Sequence, residues 1–389
     1  GSSLGLSTFL GSGLSFVNPS FRLPYVNQFS AGFQIELPGS RMVEITYVGN
    51  RSTDLESSRP FNETSLAFRQ SCNFYEGGAP AYCNAQLPNP FQGLAPFGVT
   101  GHYSRATLSR SDLARPYPEF GSVTELMRND GAVWYNSLQV THQARFRGVN
   151  LLATYTLAKQ IEQLGWLDVQ RNVLQRSPYE ADTPHRITLA NVWELPIGRG
   201  KRLLNTTHRF WSRVVSGWET AEFFQWASGR PWVMPSGVRY VRDARVGNID
   251  WSAPQVRGIK PCIARQNEDG TITPQAFSLT YGCGADVSTY NFIIQPQYAP
   301  TATPARAGNI RVHSVANLDL SITKRTQVTE RLTVQFRAEA FNVTNTNQFP
   351  RENFVNNANN ASFGTIVRST AAAGNGRPRN VQIAVKAIW

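Results

Sequence analysis

Charge is scarce in this sequence. Asp, Glu, Lys and Arg make up only 16% of the 389 residues, well under the usual quarter. Lysine is nearly missing, with Lys159, Lys201, Lys260, Lys324 and Lys386 as its sole occurrences. The net charge of +12 is therefore carried by arginine, and the arginines are spread over strand-like runs, turns and loops without a dominant basic cluster. No recognition helix, zinc finger or RNP-type aromatic motif accompanies them. That spread argues against nucleic acid and for an anionic surface, such as lipid headgroups or lipopolysaccharide, or an anionic ligand. Long apolar runs are lacking too. None approaches the roughly 18 residues of a membrane-spanning helix, and "GSSLGLSTFL" has no basic residues ahead of its apolar part, so it does not read as a secretory signal. Histidine is rare, and His102, His142, His185, His208 and His313 show no metal spacing. "GRGKR" lacks the spacing of a phosphate loop. No catalytic constellation is visible, so the expectation is a protein that is not an enzyme and needs no cofactor or metal. Disorder does not fit either, because aromatics stand at 11%.

The four cysteines form two local pairs. Cys72 and Cys83 bound "CNFYEGGAPAYC", and Cys262 and Cys283 bound "CIARQNEDGTITPQAFSLTYGC". Both stretches are rich in Gly, Pro and polar residues and read as loops. The spacing is wrong for zinc. The expectation is two disulfides in an oxidising compartment, each removing about 3 kcal/mol of freedom from the unfolded chain. Four free thiols are the alternative.

Two-residue alternation is what the sequence has in abundance. In "RLTVQFRAEAFNVTNT", Leu332, Val334, Phe336, Ala338 and Ala340 fall on one face, and Arg331, Thr333, Gln335, Arg337 and Glu339 on the other. A helix would set Val334 beside Arg337 and leave no apolar stripe. "NLDLSITK" alternates likewise, and the short link "RTQVTE" makes the two an antiparallel hairpin. The same pairing recurs upstream around "PGS", around "RG" and on either side of "GRGKR". Strands are expected near 25–37, 41–51, 132–146, 149–162, 185–197, 217–229, 314–325, 331–345 and 379–389, with no helix longer than about three turns. "FGSVTELMRNDG" reads as strand reaching into a long loop and pairing back through "NDG".

Between the pairs lie long connections, about 52–131, 163–184, 230–313 and 346–378. Short and long connections alternate strictly. An up-and-down sheet then carries every long loop at one end, both cysteine pairs included. Tilted membrane strands need about 9–11 residues. Such strands, with one apolar face, short turns at one end and long loops at the other, describe an antiparallel up-and-down transmembrane β-barrel of the bacterial outer membrane. Phe146, Trp193, Trp226 and Phe341, at strand ends, suit its interfacial girdles. The last strand, "NVQIAVKAIW", sets Val381, Ile383, Val385, Ala387 and Trp389 on one face and Gln382 and Lys386 on the lumen side. A closed barrel must pair this strand with its first, which is a reason for it to be ordered to its final aromatic.

"YNSLQVTHQARFRGVNLLATYTLAKQIE", "DTPHRITLANVWELPIGRGKR", "GWETAEFFQWASGRPW" and "NLDLSITKRTQVTERLTVQFRAEAFNVTNTNQF" resemble the C-terminal half of Oar-like TonB-dependent receptors. These are outer-membrane proteins often preceded by a carboxypeptidase-regulatory-like domain. The resemblance runs from about Asn18 to Trp389, and its most specific parts are the "PHR…ELP.G.GKR" segment and the "FRAEAFNVTN" strand. It implies a barrel of roughly 22 strands, of which this chain holds the last nine, with periplasmic short turns. It also implies a plug and a TonB box, which this sequence does not contain, so TonB would be reached through a region N-terminal to it. The final strand resembles the signal read by the barrel-assembly machinery, which usually ends in Phe or Trp.

Two groups of side chains are candidates for contact with a transported small ligand. Asp319, Gln335, Arg337 and Glu339 face the inferred lumen, either as a solvated ladder of cross-strand pairs or as a substrate path. Arg239, Tyr240, Arg242 and Arg245 lie in a long outer loop. Ligand import through a TonB-dependent barrel is the favoured reading. A passive porin and an outer-surface structural or adhesive barrel are the alternatives. Nothing in these residues chooses a substrate.

Overall fold

A computed structural model describes residues 8–97, 101–246, 249–250, 255–301, 303–346, 354–366 and 378–389, with Gly5 and Ala253. Nine long strands dominate it: β1 (Tyr25–Leu37), β2 (Arg41–Pro60), β3 (Val123–Phe146), β4 (Val149–Asp168), β5 (His185–Glu194), β6 (Trp218–Ala227), β7 (Val315–Gln327), β8 (Thr333–Phe341) and β9 (Asn380–Ile388). Each pairs antiparallel with the next, so sheet order is chain order. This is the up-and-down, mostly β wall expected from the alternation. Strand takes 49% of the described residues and helix 11%, and the longest described helices, Leu66–Cys72 and Arg209–Val215, have seven residues each. No helix among the described residues is long and apolar enough to cross a membrane.

The register sorts the side chains onto two faces. Val140, Tyr155, Ile187, Trp226 and Ala316 form one row across five strands. One residue along, Thr141, Thr154, Thr188, Gln225 and Asn317 form a row on the opposite face. Glu36 of β1, Gln143 of β3, Leu152 of β4, Ala190 of β5, Phe223 of β6 and Asp319 of β7 all border one cavity of about 1040 Å³. The wall therefore curls with its polar face inside. Its convex face is apolar and open to the surroundings: Phe33 is 56% exposed and Val385 70%. Water disfavours so wide an apolar face, whereas lipid chains match it. The apolar face is interrupted at His142, Asn191 and Glu222, where the Asn191 amide donates to the Glu222 carboxylate at 2.6 Å.

The structure corrects several sequence-based boundaries, and one physical cause covers most of them. β2 runs on to Pro60 and β3 starts at Val123, so the first long connection is 61–122 rather than 52–131. "NDG" does not turn. β3 passes straight through Asn129, Asp130 and Gly131, with left-handed Met127 marking a bulge against β2. β4 likewise extends to Asp168, and Val173–Pro178 returns along it, which fills most of 163–184 with hairpin. Beyond the hydrocarbon layer both faces of a strand are wet, so alternation is no longer required and the sequence signal fades. Elsewhere strands stop early: β5 ends at Glu194 on the short-turn side, and β6 at Ala227 and β8 at Phe341 on the long-loop side. Phe341 shares the polar face with Glu339 and stands opposite Asn380, so it is no part of an outer girdle. Phe146, Trp193 and Trp226 do lie on the outer face.

β9 shows the alternation expected of it. Val381, Ile383, Val385 and Ala387 stand opposite Ala340, Ala338, Phe336 and Val334 on the outer face. Gln382 bonds the Glu339 carboxylate on the polar face. Trp389 is 91% exposed. Every residue of β1 and of β9 is exposed. Among the described residues the outer edge of each has no strand partner.

Candidate functional site

The buried apolar core of this molecule is not in the wall. It lies at the long-loop end, where 230–313 and 354–366 fold into one module. Val238–Tyr240, Phe292–Ile294, Ile263–Gln266 and Ile272–Pro274 form a four-stranded sheet in that order. Three rings sit at the centre. Trp232 lies 6.0 Å from Phe292 and 5.6 Å from Phe363, and Phe292 lies 5.3 Å from Phe363, all edge to face. All three are fully buried. Such pairs add to the burial of large apolar area. The Arg257 guanidinium donates to the Phe363 carbonyl at 2.6 Å and lies 3.7 Å from the Tyr281 ring centre, which fastens the two connections together. Cys262 and Cys283 are bonded, as are Cys72 and Cys83, both pairs as read from the sequence. Part of the 346–378 connection lies outside the described residues.

Ion pairs knit this module and the 61–122 connection to the wall. In the 61–122 connection, Ser65 caps the Leu66–Cys72 helix by accepting from the Phe68 amide at 3.2 Å. That orients Arg69, whose guanidinium bonds both oxygens of Asp168, at 2.8 and 2.6 Å. Arg171 donates to the same carboxylate at 3.0 Å and also bonds Glu76. Asp168 belongs to the stretch of β4 that has left the β5 pairing and stands clear of the membrane-crossing part. Burial works against its charge, but the bonds from Arg69 and Arg171 outweigh burial and hold its pKa at about 2. On the module side, Arg306 bonds Glu162, and Arg311 bonds the Asp182 carboxylate at 2.6 Å. The Asp182 carboxylate also accepts from the Gln160 amide at 2.8 Å. The first connection meets the module where the Tyr298 hydroxyl donates to Asn84 at 2.8 Å. Each long connection is thus pinned to a strand extension or to its neighbour.

The sequence-predicted residues land in two separate places. Gln335, Arg337 and Glu339 share the polar face with Asp319. Arg337, on the same strand, and Gln382, across on β9, both bond Glu339. Asp319 accepts from the Asn342 amide at 2.8 Å and from Asn317 at 2.9 Å, so it fastens the exit of β8. Of the loop group, Tyr240 accepts from Asn309 at 3.0 Å and packs on Phe292. Arg245 is held bidentate by Asp243. Arg239 is half-buried in the module sheet, while Arg242 is exposed. These four do not converge on one point. The clasp residues Arg69, Glu162, Asp168, Asp182, Arg306 and Arg311 escaped sequence reading. Their signal was acidic side chains just past an alternating run in a chain poor in charge.

A curled antiparallel wall, apolar outside and polar inside, with a folded module over one end, defines a membrane-spanning β-barrel protein. The chain belongs to the outer membrane beta barrel domain family, whose profile matches residues 2–382, and its place is the bacterial outer membrane. Among solved structures it is similar to the outer membrane transporter YddB from Escherichia coli, at 11% identity and a TM-score of 0.41, over 97% of this chain and 34% of that one. It is also similar to the FrpB iron transporter from Neisseria meningitidis, at 8% identity and a TM-score of 0.38, over 97% of this chain and 33% of that one. A third is FpvA of P. aeruginosa in complex with heterologous pyoverdines, at 8% identity and a TM-score of 0.38, over 95% of this chain and 27% of that one. This chain spans about a third or less of the length of each. No curated protein matches it in sequence.

Proposed function

We propose that residues 1–389 are the C-terminal barrel portion of an Oar-like TonB-dependent receptor, and that the whole receptor takes a small ligand into the periplasm. The observation that carries this reading is the polar concave face, which borders a cavity of about 1040 Å³ at one end and meets a folded module at the other. The segments that resemble such receptors add to it. The short turns and Trp389 face the periplasm, and the long connections face the cell exterior and lipopolysaccharide. Plug, TonB box and further strands lie elsewhere in the receptor. Asp319, Gln335, Arg337 and Glu339 line the path, and Arg242 is the outer-loop arginine free to meet ligand. Every described cysteine is in a disulfide, so an introduced thiol is the one free thiol within residues 1–389. A membrane-impermeant maleimide should label Glu268→Cys in intact cells, and Arg147→Cys only after the outer membrane is opened. The reverse pattern would invert the orientation. Uptake of candidate ligands by cells with and without TonB then tests transport. Entry that persists without TonB means a passive pore. No entry for any ligand favours a surface role, for which the module's own core is the supporting observation.

Trp389 is proposed as the end of the signal that the barrel-assembly machinery reads, with Val381, Ile383, Val385 and Ala387. Removing it should sharply lower the amount of protein reaching the outer membrane, while the fraction that inserts keeps its heat-modifiable migration. The exposed ring has few protein contacts to lose. Normal outer-membrane levels after the deletion would remove this role.

A further inference from the structure

The connection between β5 and β6, residues 195–217, is the longest at the short-turn end, and it is folded. Ile197 bridges Leu203, and the Gly200 amide donates to Asn205 at 2.9 Å. Then comes the Arg209–Val215 helix. Two wall residues hold its last turn. The Trp218 indole donates to the Val214 carbonyl at 3.0 Å. The Lys324 ammonium donates to the Arg213 and Ser216 carbonyls at 2.8 and 2.7 Å, which satisfies orphan acceptors at a helix C-terminus. Trp218 and Lys324 stand opposite each other on the apolar, convex face of the wall. The helix is therefore fastened outside the barrel circumference rather than beneath its lumen.

What the helix turns away from the wall is apolar. Phe210 is 62% exposed, Trp211 56% and Leu204 64%, with Leu203 and Val214 also open. Phe210, Trp211 and Val214 fall on one helical face, and Arg209 and Arg213 border its Phe210 edge. The connection holds Arg199, Lys201, Arg202, Arg209 and Arg213 and no Asp or Glu. An apolar stripe bordered by basic residues, level with an aromatic girdle, is the pattern of a helix lying in a bilayer interface. We propose that 195–217 is a lipid anchor seated in the periplasmic leaflet, its aromatic face among the acyl chains and its arginines on anionic phospholipid headgroups. The occupant follows from continuity with the lipid-facing wall and from charge complementarity. The proposal rests on the orientation given above, which the maleimide labelling tests independently.

Bromine-labelled lipids decide it. The full-length protein and its Trp211→Phe variant are reconstituted into vesicles of phosphatidylethanolamine and phosphatidylglycerol with bromine high on the acyl chains. The difference between the two emissions is the Trp211 signal. It should fall at least about twofold with the brominated lipid and respond little to aqueous acrylamide. Arg209→Gln with Arg213→Gln should erase any excess quenching in phosphatidylglycerol vesicles over phosphatidylcholine ones. Quenching by acrylamide but not by bromine would overturn the anchor. So would shielding seen only in native outer-membrane fragments, which would mean that a periplasmic protein covers the helix. Equal bromine quenching in the two lipids would overturn the headgroup part.

Discussion

Replacing Trp232 by alanine is expected to unfold the module at the long-loop end and leave the wall in the membrane. The ring is 1% exposed and packs edge to face on both Phe292 and Phe363. Truncating such a residue costs about 3–5 kcal/mol through lost transfer energy and the cavity left behind. The module has little else to fall back on. The strands of its four-stranded sheet are three or four residues long, and one disulfide spans it. The wall has separate backbone ladders and does not share this core. Trypsin should therefore cut the variant within 230–313 many times faster than the parent protein in detergent, while heat-modifiable migration of the barrel persists. Equal cleavage rates would mean that the module is held by its attachments to the wall rather than by its own core.

The second large effect is expected at Asp168. Its side chain and that of Arg69 are 5% and 10% exposed. Removing one partner of a buried pair leaves an uncompensated charge, at about 3–5 kcal/mol. Asp168→Ala leaves the buried Arg69 without its carboxylate, with Arg171, which keeps Glu76, as a second positive charge nearby. The 61–122 connection should come off the β4 extension, and amides of Leu66–Cys72 should exchange faster with solvent. Arg69→Met with Asp168→Leu should recover part of the loss, because no buried charge is then left without its partner. A neutral Asp168→Ala would show that the disulfide Cys72–Cys83 and the contact with Tyr298 suffice. Acid should act as the substitution does. The pKa of Asp168 in the folded protein lies below its ordinary value of 3.8, at about 2. A depressed carboxylate contributes stability that is complete above its unfolded value and is lost as pH falls through the folded one. The clasp should stay shut at neutral and mildly acid pH and open between about pH 4 and pH 2.

What could be read from the sequence was whatever the bilayer forces on it. Where one face must be apolar and the other wet, as from Thr333 to Phe341, the pattern repeats every second residue and the strand is visible. The cysteine pairs were legible because each closes a short local loop. The module was not. Val238–Tyr240 and Phe292–Ile294 are too short to show a period, and their pairing joins residues more than fifty positions apart. Likewise nothing local in "SFGTIV" says that Phe363 packs on Trp232. The polar Asn191 and Glu222 on the apolar face ran against the pattern and became intelligible only as a bonded pair.

The free edges of β1 and β9 set an arithmetic condition on whatever adjoins them. With nine strands in strict alternation, β1 and β9 point the same way, both toward the short-turn end. A neighbour antiparallel to β1 and a neighbour antiparallel to β9 must then also point the same way as each other. Any alternating set of strands that joins the two edges must therefore have an odd count. An even set would leave one seam parallel, with its slanted and weaker ladder, in a wall whose other seams are all antiparallel.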